Sequence, residues 1–396
     1  DTTRMKLPRA RSVLRGILAS IGLLPFLRRL LGRNADGSEA ASRSTPDSAG
    51  ESSDSTPLGV DGDNQQYLTD AVYQEKLTRE QENFANYVDV HDLPPIFHYW
   101  SNKYLLPALQ PFGFTGPDSF YCLHLEAQLA KAGERITRFA SVGAGNCDTE
   151  VRLAGILRER GHQSFTIECL DINETMLARG TAIAADAGVS QHIIANAIDF
   201  NFWEPTAEYD AVIANQSLHH VERLETLFAA IKRAIGANGV FITSDMIGRN
   251  GHMRWPEALD YVHQFWRELP ESHRYNHQLR RYEALYENWD CSTEGFEGVR
   301  AQDVLALLVK NFHFEAFFAY ANIIDPFIDR GFGHNFDVNK ESDRSFIDRV
   351  HATDVAQMLA GNIKPTQMLA AMRATPVTLD RFIPPFTPEF CVRRTD

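Results

Sequence analysis

The chain has 396 residues, 44% of them apolar and 23% charged, with 25 Gly, 18 Pro and five Cys. That composition fits one large globular domain with additions and excludes collagen-like, disulfide-scaffold and wholly disordered classes. A formal charge of −13 argues against a general nucleic-acid coat, because non-specific affinity for phosphate needs clustered Lys and Arg.

The charge is unevenly spread. Residues 1–33 carry eight basic side chains against Asp1 alone, whereas residues 34–66 carry seven acids against Arg43. In the first segment Val13, Leu14, Ile17, Leu18, Ile21 and Leu24 recur at helical spacing beside Arg11 and Arg15. This predicts a basic amphipathic helix over 11–31, bent at Pro25. Its apolar stretch from Gly16 to Leu27 makes about 18 Å of helix, where a bilayer core needs about 30 Å, so it does not span a membrane. Peripheral contact with a membrane or a partner is one reading and a signal or transit leader the other, although Arg28-Arg29 stand where a small-residue cleavage site belongs. Residues 34–66 are Ser, Asp, Glu and Gly with hardly an apolar residue, and they read as a disordered linker. The five cysteines are widely spaced without a C-x-x-C, which points to neither a disulfide framework nor a Cys-rich zinc site and fits a reducing, cytoplasmic setting.

Residues 67–131 read as a helical cap. Apolar runs at 136–142, 164–170, 192–195, 209–215 and 239–246 then alternate with helical patterns at 149–160, 174–187 and 224–236. Further strands are expected at 312–321 and 367–372. Repeated βα units imply an α/β, Rossmann-like fold, a seven-stranded mostly parallel sheet with helices on both faces. The domain spans 132–373, with a helical insert at about 254–308 after the fifth strand and a tail over 374–396.

The turn after the first strand of that domain reads Ser141-Val142-Gly143-Ala144-Gly145-Asn146-Cys147-Asp148. Its glycines let a ligand lie against bare backbone, next to the unpaired N–H groups of a helix N-terminus. Asp148 stands where a nicotinamide-binding loop places Gly or Ala, and it would repel a pyrophosphate, so a dinucleotide is disfavoured. The second strand ends Leu170-Asp171-Ile172, with Asp171 at the sheet edge where a carboxylate can accept both hydroxyls of a ribose. After the third strand, Asp199-Phe200-Asn201-Phe202-Trp203 offers a carboxylate for an exocyclic amine beside aromatic surface.

Taken with the run from Tyr209 to Val221, which contains Asn215-Gln216-Ser217-Leu218-His219-His220, these residues resemble class I S-adenosylmethionine-dependent methyltransferases over about 136–246. The flanks Pro94–Trp100 and Glu294–Gly298 resemble a bacterial subgroup often associated with glycan or secondary-metabolite modification. The resemblance implies S-adenosylmethionine as cofactor. Gly143, Ala144 and Gly145 would approach its amino-acid moiety, Asp171 with Ile172 its ribose, Asp199 and the Phe200 backbone its adenine, and Asn215 its methionine portion. Two departures stand out: Ser141 replaces the usual acid two residues before the first Gly, and Cys147 the usual third Gly. Asn146, Asp148 or Tyr99 are candidates to replace the lost ammonium contact.

The reaction implied is transfer of a methyl group, by in-line displacement, to a small-molecule or glycan-type acceptor, at oxygen. A hydroxyl acceptor benefits from a general base, for which His219, His220, His252, Asp245 and His334 are candidates with His220 and His252 put first, while His219 and His220 also suit shaping of the cofactor pocket. No H-E-x-x-H or comparable spacing appears, so nothing in the sequence requires a metal. A cofactor-binding scaffold recruited by its N-terminal helix is the non-catalytic alternative, and a nicotinamide oxidoreductase the second enzymatic one. Aromatic and Arg residues are dense over 254–286, as suits recognition of sugars or anionic groups.

Overall fold

The computed structural model describes residues 58–60, 66–68, 70–85 and 93–393. The basic segment 1–33 and most of 34–66 lie outside them. The end of the expected linker is described and is paired: β1 (Leu58–Val60), which holds apolar Leu58 and Val60, runs antiparallel to β2 (Gln66–Leu68). The cap follows as α1 (Asp70–Ala85), α2 (Pro95–Trp100), a π-turn at Ser101–Leu105, α3 (Leu106–Leu109) and α4 (Pro117–Ala132).

The central units are β3 (Thr137–Val142), α5 (Asp148–Glu159), β4 (Phe165–Asp171), α6 (Glu174–Asp186), β5 (Ile193–Ala197), β6 (Ala211–Asn215), α7 (Leu224–Ile235) and β7 (Val240–Met246). All five strands begin and end within two residues of the predicted runs, because continuous β-branched and aromatic stretches suit a sheet buried on both faces. Every residue of β7 is buried. α7 presents Leu224, Leu227, Phe228, Ile231 and Ile235 to the sheet and ends at Gly236, whose φ of 53° few other residues adopt.

After β7 come α8 (Pro256–Glu268), the two-residue strands β8 (Tyr275–Asn276) and β9 (Arg281–Tyr282), α9 (Ala301–Asn311), β10 (His313–Tyr320), α10 (Asp325–Ile328), α11 (Glu341–Leu359), β11 (Gln367–Arg373), β12 (Arg381–Phe382) and α12 (Pro388–Cys391). The insert is thus helical only in part. Pro270 closes off the helical stretch, a small antiparallel hairpin follows, and α9 is the crossover that packs on α7 and feeds β10. The nineteen-residue α11 was not expected, since its apolar residues make no clean stripe. The segment 374–393 is not a loose tail. It adds β12 beside β10, and Arg393 pairs with Glu257 on α8.

The sheet has eight strands in the order β12-β10-β11-β7-β6-β3-β4-β5, with β11 antiparallel to both neighbours. Seven match the predicted set, and the eighth is the short edge strand β12. Helices cover both faces and bury two large apolar clusters, one around Phe228, Phe241 and Trp266 and the other around Phe120, Phe139 and Phe318. The register aligns Val142 with Leu170 and Ala214, Asp171 with Ala197, and Asn215 with Ser244. The loops after β3, β4, β5 and β6 therefore open at one edge, where the chain order reverses on either side of β3, the ligand-binding edge of open α/β sheets.

Candidate functional site

A cleft of about 510 Å³ lies at that edge, lined among others by Gly143, Gly145, Asp171, Ile172, Phe200 and His220. Gly143 has φ 70°, and a Cβ there would stand 2.5 Å from the Cβ of Ser217, whose hydroxyl donates to the Val142 carbonyl at 2.7 Å. Any side chain at 143 would wedge the loops after β3 and β6 apart, so the backbone is left bare to the cleft. Asp171 accepts one backbone N–H on each oxygen, from Gly145 at 2.8 Å and from Asn173 at 2.9 Å. Burial pushes its pKa up, and those two N–H groups oppose the shift. The remaining lone pairs of a carboxylate so anchored can receive a vicinal diol. These residues fit an adenosine-bearing cofactor.

Not every expected residue reaches the cleft. Ala144, Asn146, Asp199 and Asn215 do not line it. The Asn146 amide oxygen accepts from Arg179, and Asn215 accepts from the Tyr121 hydroxyl while donating to Thr149. Asp199 accepts from the Tyr73 hydroxyl at 2.7 Å on one oxygen and from Asn201 on the other. Tyr99 is remote, donating to Asp348 on α11. Tyr73, Glu80 and Gln81 come from α1, which lies over the rim: the Gln81 side chain donates to the Ile172 carbonyl, and Asn173 donates to the Gln81 carbonyl. Nothing local in α1 announces that role, since its contacts are made across the fold.

An acid from the next helix stands beside Ser141. The Ser141 hydroxyl donates to Glu150 on α5 at 2.5 Å, and burial raises the Glu150 pKa to about 7. The sequence signal for the pairing is a Glu two residues into the helix that follows the Gly loop. Cys147, standing for the third Gly, adopts φ 56° and packs against Gly180 of α6, where an added Cβ would meet the Cys147 sulfur at 2.7 Å and the Asn146 carbonyl at 2.8 Å.

A second cavity of about 1150 Å³ adjoins the first. Its walls include Phe97, Trp100, Tyr286, Trp289 and Phe332 together with hydrogen-bonding groups on Asn276, Glu283 and Arg254. Arg254 is buried and held by Asp325 at 2.7 Å. Asp329, also in the wall, has its pKa raised to about 7 by burial against the opposing N–H groups of Phe332 and Gly331.

Between the cavities stands a cluster that sequence spacing does not reveal. His220 lines the smaller cavity, His252 and Glu297 the larger. His252 Nε2 lies 2.5 Å from Glu297, and the Nε2 atoms of His219 and His220 each lie 3.4 Å from one of its oxygens. Behind them, His219 Nδ1 is 2.7 Å from Asp245 and His220 Nδ1 is 2.8 Å from Glu80. Burial works against a charge on His219, but Asp245 and Glu297 outweigh it and hold the imidazole pKa up at about 10. Burial would raise Glu297, yet His220, His219 and His252 hold it well below the carboxylate range. Burial lowers His252. His220 and His252 were expected at the site. Glu297, on the far side of the insert, was not identified as a site residue.

Among the described residues no helix is long and apolar enough to cross a membrane. All five cysteines are buried and free.

Residues 141–243 match the family model described as a methyltransferase domain. No curated protein sequence matches the chain. Solved structures that match the chain include the [4+2]-cyclase SpnF (15% identity, 64% of this chain and 81% of that one, TM-score 0.35). A putative sarcosine dimethylglycine methyltransferase from Galdieria sulphuraria is 14% identical, covering 65% of this chain and 86% of its own, with a TM-score of 0.37. The geranyl diphosphate C-methyltransferase from Streptomyces coelicolor A3(2) is 10% identical, covering 63% and 74%, with a TM-score of 0.34.

Proposed function

We propose that this chain, whose residues 141–243 form a class I S-adenosylmethionine-dependent methyltransferase domain, methylates a small-molecule or glycan-type acceptor at oxygen. The observation that carries the acceptor reading is the pair of adjoining cavities with an imidazole–carboxylate wall between them. The smaller suits the cofactor. The larger, with five aromatic side chains among buried polar groups, suits a polar molecule with flat or ring faces.

The cofactor supplies an activated methyl group on a sulfonium. The chain's own task is alignment and proton handling: Asp171, Ile172, Gly143, Gly145 and Phe200 orient the donor, while the aromatic walls hold the acceptor hydroxyl in line with the methyl group. We assign the proton of that hydroxyl to the His252–Glu297 pair, where a neutral imidazole backed by a carboxylate is a competent base. His220 separates the two ligands and fixes their approach. Residues 1–33, with their excess of Arg and Lys, would hold the enzyme near an anionic membrane surface.

The test is transfer of labelled methyl groups from S-adenosylmethionine into a cell extract separated into lipid, glycan, protein, RNA and small-molecule pools. Label is expected in the glycan or small-molecule pool, as a methyl ether. Label confined to protein or RNA would overturn the acceptor assignment.

A further inference from the structure

His219 is wholly buried, yet its Nε2 has no hydrogen-bond partner among the described residues, and neither has Oε2 of Glu297. These atoms nevertheless point at one small volume, with His219 Nε2 and His220 Nε2 each 3.4 Å from an oxygen of Glu297. A hydrogen bond places its heavy atoms about 2.9 Å apart. Two ligands bound about 2.1 Å from a tetrahedral ion stand about 3.4 Å from each other.

The contacts behind the ligands favour the same reading. Asp245 accepts the backbone N–H groups of Ser217, Leu218, His219 and Met246 over its two oxygens and lies 2.7 Å from His219 Nδ1. Glu80 accepts the Phe296 N–H on one oxygen and faces His220 Nδ1 with the other. The Nδ1 side of both rings is thus engaged, and both Nε2 atoms face the Glu297 carboxylate. One ligand atom from each of His219, His220 and Glu297 lies within 4.8 Å of the others, close enough to share one ion, and an ion bound there displaces the proton that His219 otherwise holds. The carboxyl groups of Glu80, Asp245 and Glu297 are all buried around the two imidazoles, a setting in which a bound cation offsets the cost of burying acids.

We propose that His219 Nε2, His220 Nε2 and the Glu297 carboxylate form a binding site for one divalent first-row transition ion of the Zn²⁺ or Fe²⁺ type. Two imidazoles and one carboxylate are a borderline donor set that suits those ions and not Mg²⁺ or Ca²⁺, which take oxygen ligands. Each ligand has a partner holding it: Asp245 behind His219, Glu80 behind His220, and His252 against Glu297. Three protein ligands leave a position open, the arrangement of catalytic rather than structural sites. Glu297 lines the larger cavity, so that position takes an oxygen of whatever the cavity holds. On the methyl-transfer reading this is the acceptor hydroxyl, which loses its proton more readily when metal-bound. The site itself does not depend on that reading.

The test uses the untagged full-length protein, freed of metal with a chelator and titrated with Zn²⁺, with Fe²⁺ under anaerobic conditions, and with Mg²⁺. About one equivalent of Zn²⁺ or Fe²⁺ is expected to bind, with Mg²⁺ unable to displace it. Glu80→Ala should weaken binding about 10–100-fold. His219→Ala and Glu297→Gln should abolish it while circular dichroism and cofactor calorimetry remain those of a folded protein. If those variants do not fold, the visible spectrum of Co²⁺ added to the wild type decides, with a low-coordinate nitrogen and oxygen signature expected. A folded, cofactor-binding wild type that takes up no transition ion overturns the site and leaves the methyltransferase reading intact. So does uptake that is the same in the folded His219→Ala and Glu297→Gln variants. Uptake at this site without methyl transfer to any pool supports the site and counts against the acceptor proposal alone.

Discussion

Two buried carboxyl groups, Asp171 at the end of β4 and Glu150 on α5, divide the work at the residue scale. Asp171 is the proposed ribose acceptor, and its two backbone N–H bonds fix its orientation. Asp171→Ala should raise the dissociation constant for S-adenosylmethionine about 10–100-fold, the value of one or two charge-assisted hydrogen bonds. Calorimetry on the folded variant measures it, and an unchanged constant would remove Asp171 from the site. Glu150 stands deeper, with a folded pKa of about 7 against 4.5 for a free carboxyl. A carboxyl raised in this way is protonated in the folded chain while the unfolded chain has already released its proton. Wild-type stability therefore falls as pH rises from 4.5 to about 7. Glu150→Gln lacks that loss, so its stability relative to wild type should improve between pH 4 and pH 8 by on the order of 3 kcal/mol. Denaturant titrations at a series of pH values would show it, and a difference independent of pH would mean that Glu150 is not raised.

Among elements, the informative contact is between α6 and the loop after β3. Gly180 sits within α6, where Ala ordinarily stabilises by about 1 kcal/mol. Here a Cβ would press on the Cys147 sulfur and on the Asn146 carbonyl, both within 3.0 Å, and the carbonyl belongs to the backbone of the loop. Gly180→Ala should therefore lower the melting temperature, by several degrees, and weaken cofactor binding as the loop shifts. A variant that melts higher would show that the helix can slide away. α1 acts on the cleft from the other side, through Tyr73 on Asp199, Glu80 on His220 and Gln81 on Ile172. Tyr73→Phe frees one oxygen of Asp199. If Asp199 serves the adenine, cofactor affinity in that variant should rise or hold, and a fall would make Tyr73 itself part of the binding surface.

For the whole molecule, the net charge of −13 is an average over a basic start and an acidic remainder. The proposed membrane role of residues 1–33 predicts co-sedimentation with vesicles rich in anionic lipid, lost when those residues are removed and weakened at high salt. Binding that survives the truncation would place the membrane contact elsewhere. The two cavities are likewise a property of the whole: the smaller is built from the ends of parallel strands and capped by α1, while the larger takes walls from α2, the insert and the segment after β10.

The strands, the Gly loop, Asp171 and the parallel architecture were legible in the chain because they rest on local causes. Buried strands need continuous apolar runs, a bare turn needs glycines, and strand order forces those turns to a common edge. Boundaries agreed to within two residues for the same reason. What the linear pattern could not contain was contact across distance. Glu297 meets His219, His220 and His252 only after the insert folds back, Tyr73 reaches Asp199, and Asn215 turns toward Tyr121 instead of the cleft. α11 is not legible because its apolar residues leave no stripe to read. The grouping of His219, His220 and Glu297 follows no fixed spacing along the chain. A folded core sets side-chain direction by packing, and packing brings together residues whose separation along the chain carries no information about their meeting.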